Sequence, residues 1–447
     1  MKRASLARGL AQSLSNLHFS DLPDEVVERC KVSTLNVLAA CYAGRDLPWS
    51  RIAAEVAQRG HGTSTVWSYK DRVSSADAAM ANAVMSHAVL LEDFAVGLGH
   101  PGIFVVPAAI AVGEECGSSG PELISAIASA YEALFHIGRN VLGKLNQGFG
   151  ESSILGVFGA AVAASKALKL NENELTGAIG LAASSASGTL EHWTYGTMEG
   201  MFQVGIGCRN GVLAAYLAKS GALAAETSLD GPHGFYMAFT GMSRDLAEET
   251  DSGDRSEFAI MKALMKRYPS CGANQATLHL GAALSNRLEI SASTVDKVVE
   301  KVSPSILTGA GNNCPGPFSN QFQAQMSTQF CLAAALLGKP VDTPAYFVNH
   351  YQDPEVLALA RKVELVPEKG RDWLNPRIEV LLLDGAAHSL EADCRSELVP
   401  DRKDAEKSFM AYAGNALGHE RAAEVVTTVL NLDRLPNVAA LARLLKP

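Results

Sequence analysis

The segment Leu91-Glu92-Asp93-Phe94, followed after a glycine-bearing loop by Gly99-His100-Pro101-Gly102, brings two carboxylates and an imidazole into one short stretch. The preceding run, Ala76 to Leu91, is nearly uncharged and has helical spacing, so both acids are expected at the carbonyl end of a core helix. Partial negative charge there disfavours each acid by roughly 0.3–1 kcal/mol unless a cation compensates. His100 is the nearest candidate. A carboxylate hydrogen-bonded to an imidazole holds one tautomer and makes the other ring nitrogen a better base near neutral pH, so Asp93 with His100 reads as a proton-transfer pair. The competing reading is a pair of solvated helix-end acids beside an ordinary loop histidine. Gly99 and Gly102 leave the backbone open next to His100, and Pro101 stiffens the turn.

Further along, Lys266 precedes Tyr268-Pro269, a sequence expected to end a helix because proline disfavours helical geometry in the residue before it. Its ammonium then either favours that helix end or, in a dry cleft, clamps a carboxylate or acts as a base. Arg267 beside it can share either task. His192-Trp193-Thr194-Tyr195 is a polar-aromatic cluster in an Ala/Ser/Gly-rich region, suited to packing under a domain interface or to supplying a second acid/base through Tyr195 or His192. Asn312-Asn313-Cys314-Pro315-Gly316-Pro317 reads as a loop whose asparagines cap a following helix or hydrogen-bond a carboxylate. Cys271 and Cys314 have no adjacent base in sequence and read as inert. Gly156, Gly159, Gly205 and Gly207 form no dinucleotide fingerprint, and close helix packing accounts for them.

These residues need a scaffold, and 447 residues with 47% hydrophobic content can bury a large core in two or more domains. From Ser5 to about Lys266 the pattern is helical almost throughout, in runs such as Glu25 to Ala43, Glu122 to Leu142, Ser153 to Ala167 and Arg209 to Ala218. After Lys266, Val295 to Val302 and Arg377 to Leu383 alternate like half-buried strands, and Asp384-Gly385 signals a hairpin turn before Ala387 to Cys394. Asn320 to Leu337 and Asp353 to Lys362 read as helices. The fold class expected is therefore mainly α: a large all-helical domain from residues 1–265 and 404–447, plus a smaller α+β domain, residues 266–403, with an antiparallel sheet. A net charge of -9 with no basic block argues against nucleic acid or an anionic membrane as partner. Eight scattered cysteines offer neither a CxxC pair nor metal-ligand spacing, and the N-terminus lacks a signal-peptide pattern, so a cytoplasmic enzyme without a metal is expected.

In order along the chain, Leu91-Glu92-Asp93, Gly99-His100-Pro101-Gly102, Gly156 to Ala161 with Ser165 to Leu168, Gly196-Thr197-Met198, Lys266 to Cys271 and Ala324 to Leu337 resemble the MmgE/PrpD family. That family includes 2-methylcitrate dehydratases, cis-aconitate decarboxylases and an iminodisuccinate epimerase. The resemblance implies an active site between the two domains, a homodimer, and no metal or organic cofactor. It carries family site positions onto Asp93, His100 and Lys266. Three others depart: Phe149 to Ser153 holds no histidine, Glu199-Gly200 and later Gln203 replace a lysine and a histidine, and Asn274-Gln275 stands where a histidine is common. Elimination of water and decarboxylation each need a defined acid, whereas epimerisation needs only removal and return of a proton α to a carboxylate. The resulting expectation is a cofactor-independent epimerase of an iminodisuccinate-like polycarboxylate. His100 and Lys266 would be its two acid/base groups, Asp93 would orient His100, and Arg267, Tyr268, Asn312, Asn313 and Gln203 would bind carboxylates. The alternatives are a dehydratase of a citrate-like hydroxy acid using Tyr195 or His192 as acid, a decarboxylase, or a non-catalytic polycarboxylate binder.

Overall fold

The computed structural model describes residues 5–146, 148–241 and 257–447. Helices dominate, as the periodicity predicts, with a smaller α+β region towards the C-terminal half. Among the described residues no helix is long and apolar enough to cross a membrane.

Small residues set how closely the helices approach. The Ser75–His87 helix starts at Ser74, whose side chain accepts the Asp77 N–H, and buries almost every face because alanines let neighbours pack on all sides. The Gly102–Cys116 and Glu199–Lys219 helices lie against it. At Gly211 a methyl group would collide with the Val157 carbonyl, and at Gly156 with the Phe104 ring, so these glycines serve close packing. This main core also takes in the C-terminal helices Arg402–Leu417 and His419–Leu430. A second core, running from Ala273 to Cys394, lies under the sheet.

That sheet corrects one expectation. Its order is Val363–Pro367, Val295–Val302, Arg377–Leu382, Ala387–Glu391, and the first pair is parallel while the others are antiparallel. The sheet is mixed because residues 303–362 form a long helical connection that returns the chain in the same direction, which a parallel pair requires. The Asp384-Gly385 hairpin forms, with Gly385 at φ 89°. The single helix expected from Asn320 to Leu337 is broken at Ser327, whose side chain caps a new helix, Thr328–Leu336, after Gln321–Met326.

Glu300, on the central Val295–Val302 strand, is fully buried, and the Thr277 hydroxyl donates to it at 2.5 Å. Burial pushes its carboxyl up to about 8, outweighing that hydrogen bond. The folded state thus holds a proton that the unfolded chain releases near 4.5, so Glu300 costs stability progressively as pH rises from about 4.5 to 8. Glu300→Gln should flatten this fall by on the order of a few kcal/mol. Denaturant midpoints for both proteins between pH 5 and 9 check it; parallel curves would place the proton elsewhere.

Candidate active site

The Ser75–His87 helix stops short of Leu91, the limit its periodicity suggests. Leu90 takes φ 57°, and the chain turns into a two-residue strand, Asp93–Phe94, paired antiparallel with Leu264–Met265. Asp93 lies opposite Met265, so extending the register by one residue sets Glu92 opposite Lys266. Successive residues on a strand point to opposite faces, which puts Glu92 with Lys266 on one face and Asp93 on the other. No helix ends at Lys266; the Leu264–Met265 strand occupies that place.

Three side-chain nitrogens converge on one oxygen of Glu92, two of them as hydrogen-bond donors. Lys266 Nζ and His87 Nδ1 are each 2.9 Å from Glu92 Oε1, and His100 Nδ1 is 3.1 Å away. His100 Nδ1 also lies 3.2 Å from the main-chain oxygen of Asp93. The two imidazoles are neighbours, with ring centroids 5.2 Å apart. The side chains of Glu92 and Lys266 are completely buried and that of His87 nearly so, while His100 keeps 18% exposure and is the most accessible of the four. Gln325 braces the site from the smaller core, donating to the carbonyls of Val89 and Pro269. Glu92 Oε2 is buried without a hydrogen-bond partner among the described residues.

The electrostatics follow from this packing. Burial alone would raise the Glu92 carboxyl, but Lys266, His87 and His100 outweigh it and hold the group well below the usual carboxylate range. Burial, reinforced by the Lys266 charge, pushes His100 down to about 3, so its imidazole is neutral at physiological pH. With the Asp93 carbonyl accepting from Nδ1–H and the Glu92 carboxylate beside that nitrogen, the pattern assigns His100 the tautomer with a free Nε2 lone pair. The cluster therefore presents one neutral base in front of a compensated ion pair.

Several expected site residues lie elsewhere. The Asp93 carboxylate is not the group bonded to the His100 ring: strand alternation turns it into the helical body, where Tyr131 Oη donates to it at 2.5 Å and the Gly102 N–H at 2.9 Å. Arg267 alternates away from Lys266 and pairs with Asp404 at 3.2 Å on the surface. Tyr268 packs against the smaller core. Tyr195 is 66% exposed and takes no part in the cluster. Gln203 ties helices together, accepting from Ser153 and donating to the Thr189 carbonyl. Asn312 is buried with its amide donating to the Met326 carbonyl, and Asn313 is exposed and accepts from Gln329; Asn320, not either of them, caps the helix that follows. His192 is buried beside Trp193, which stacks on Phe322 at 4.4 Å. Burial lowers its pKa, and it lies within electrostatic range of His87.

His87 and the central part of Glu92 escape the sequence reading. The available signal was a lone histidine at the end of a nearly uncharged helical run, five positions before an acid. Because Arg267 is held at the surface, Arg267→Ala should leave kcat/KM within about threefold and cost no more than about 1 kcal/mol of stability; a large rise in KM would return it to the substrate.

The MmgE/PrpD N-terminal domain model matches residues 8–245, and the MmgE/PrpD C-terminal domain model matches residues 268–393. A cis-aconitate decarboxylase of Aspergillus terreus is 28% identical to this chain, with 96% of this chain and 94% of the relative covered. The cis-aconitate decarboxylase of Homo sapiens is 26% identical, covering 100% and 95% respectively, and that of Mus musculus 24%, covering 100% and 94%. The buried ion pair joins a residue inside the first matched region to one just ahead of the second. Matched through both of its halves, the chain belongs to the MmgE/PrpD family.

Proposed function

We propose that this protein is a lyase of a small polycarboxylate, and specifically a decarboxylase of a cis-aconitate-like unsaturated acid, with His100 as the group that exchanges protons with the substrate. The observation that carries the site is the accessible, neutral imidazole backed by the buried Glu92–Lys266 pair. The similarity to cis-aconitate decarboxylases over nearly the full length supports the reaction class. In such a step the bond to the departing carboxylate breaks, carbon dioxide leaves, and the electron pair left on the substrate carbon is quenched by a proton. His100 would take one proton from solvent at Nε2 and deliver it to that carbon, returning to the neutral imidazole, and Glu92 would stabilise the transient imidazolium while Lys266 keeps the carboxylate ionised. Lys266, buried and paired, serves the cluster in this reading rather than clamping the substrate.

A second reading, epimerisation of an iminodisuccinate-like acid, is favoured by two observations. A neutral His100 is suited to removing an α-proton, and Glu199, Gly200 and Gln203 put no cation where the resemblance leads one to look for a lysine. Homodimeric assembly and independence from metal and organic cofactors belong to the proposal as implications of the family, and a cytoplasmic location as an implication of the composition. Incubation with cis-aconitate in deuterium oxide separates the readings. Carbon dioxide release with one deuterium in the product supports decarboxylation. Deuterium exchange into iminodisuccinate without net loss of substrate supports epimerisation, and neither event with either acid overturns both.

A further inference from the structure

Behind the cluster, on the face of the Asp93–Phe94 strand that Glu92 leaves, a second buried polar chain runs through residues not assigned to the reaction. Ser33 Oγ lies 2.7 Å from Tyr131 Oη, which donates to Asp93 Oδ2. The other Asp93 oxygen accepts the N–H of Gly102, the first residue of the Gly102–Cys116 helix. A methyl group at Gly102 would collide with that oxygen, so only glycine permits the approach. Asn36, one turn beyond Ser33 on the same helix, donates to the Leu91 carbonyl. Asp93 thus holds His100 from both sides. Its carbonyl faces the ring, and its carboxylate secures the far end of the His100-Pro101-Gly102 turn.

We propose that Tyr131 is a positioning residue, which with Ser33 orients Asp93 and thereby fixes His100 against Glu92. A structural hydrogen bond alone would need no acid at this place, and burying one is costly. Here the acid reaches both the active-site strand and the active-site turn, and Tyr131 supplies the donor that makes its ionised form tenable. Asp93 meets Tyr131 of the Gly120–Gly138 helix directly, and it feels the charges of its neighbour Glu92 and of Lys266, next to the paired strand, from the opposite face. Arg29 and Cys30, on the Asp24–Gly44 helix, face Tyr131 in turn. Burial raises the Asp93 carboxyl to about 6 despite the hydrogen bonds from Tyr131 and Gly102, so losing Tyr131 should raise it further.

The inference rests on His100 being the proton-exchanging group. Tyr131→Phe should lower kcat on cis-aconitate about tenfold, the scale of one charge-assisted hydrogen bond, with KM little changed. It should also move the acid limb of the pH–rate profile upward by about one unit. Asp93→Asn, close in shape and unable to titrate, should remove that limb, and it serves as the readout if the Tyr131 variant does not fold. A lower melting temperature with an unmoved acid limb in both variants would overturn the proposal. Nitrogen-15 NMR of labelled histidines gives a readout that needs no turnover: Tyr131→Phe should perturb the His100 tautomer signals, and unchanged signals would also overturn it. Inactivity on every polycarboxylate together with a perturbed His100 would instead count against the proposed function alone.

Discussion

Glu92→Gln should lower kcat/KM by on the order of 10³–10⁴, the effect of neutralising the carboxylate behind a catalytic imidazole. The amide would offer Lys266, His87 and His100 a weaker acceptor at best, and its NH₂ group could turn towards an imidazole and favour the wrong tautomer. Stability should suffer too, because the fully buried Lys266 ammonium loses its counter-charge. Removing one partner of such a pair costs about 3–5 kcal/mol. The pH dependence carries a definite sign. The Glu92 carboxyl is depressed in the folded state, so its contribution is complete above the unfolded value near 4.5 and is lost as pH falls below it. The variant should lack that loss. Adding Lys266→Met to Glu92→Gln removes the orphaned charge and should recover much of the stability without recovering turnover. Chemical denaturation and steady-state kinetics on the single and double variants check both parts. A fully active Glu92→Gln protein would make the cluster a structural ion pair.

His100→Asn should reduce turnover by about 10²–10⁴, the contribution typical of a general acid or base, while stability near neutral pH changes little. The asparagine amide can still donate towards Glu92 or the Asp93 carbonyl, but it offers nothing in place of Nε2. The two substitutions therefore separate by readout, since Glu92→Gln damages both activity and stability and His100→Asn damages chiefly activity. Acid tolerance should improve in the second variant. His100 is held near 3 in the folded protein against 6.5 for the free side chain, so the unfolded state takes up its proton first, and stability drains as pH falls from about 6.5 towards 3. Without the imidazole that part of the decline disappears. Unfolding midpoints between pH 4 and 7 measure it, and near-normal rates would remove His100 from the chemistry.

Both results turn on features of different legibility. The helical body was readable because alanine and glycine recurring at helical spacing can pack in few other ways. The Val295–Val302 strand and the Asp384-Gly385 turn were readable from alternation and turn chemistry. The parallel pair in the sheet was not, because strand direction depends on where a long connection lands. The break at Ser327 was hidden by an apolar run continuous on either side of it.

At the site, the sequence by itself determined that acids, His100 and Lys266 belong to one order of motifs, and that the expected lysine and histidines around positions 150 and 200 are absent. It could not decide which acid faces the imidazole. Glu92 and Asp93 are adjacent and chemically alike, and a helical reading gives no reason to separate them. Only the pairing of Asp93–Phe94 with Leu264–Met265, far away in the chain, sets the alternation that sends Glu92 to Lys266 and His100 and turns Asp93 towards Tyr131 and Gly102. The same register turns Arg267 outward, and the end of the preceding helix brings His87 onto the shared oxygen. Residue types were local information; the face each side chain occupies came from a long-range backbone pairing.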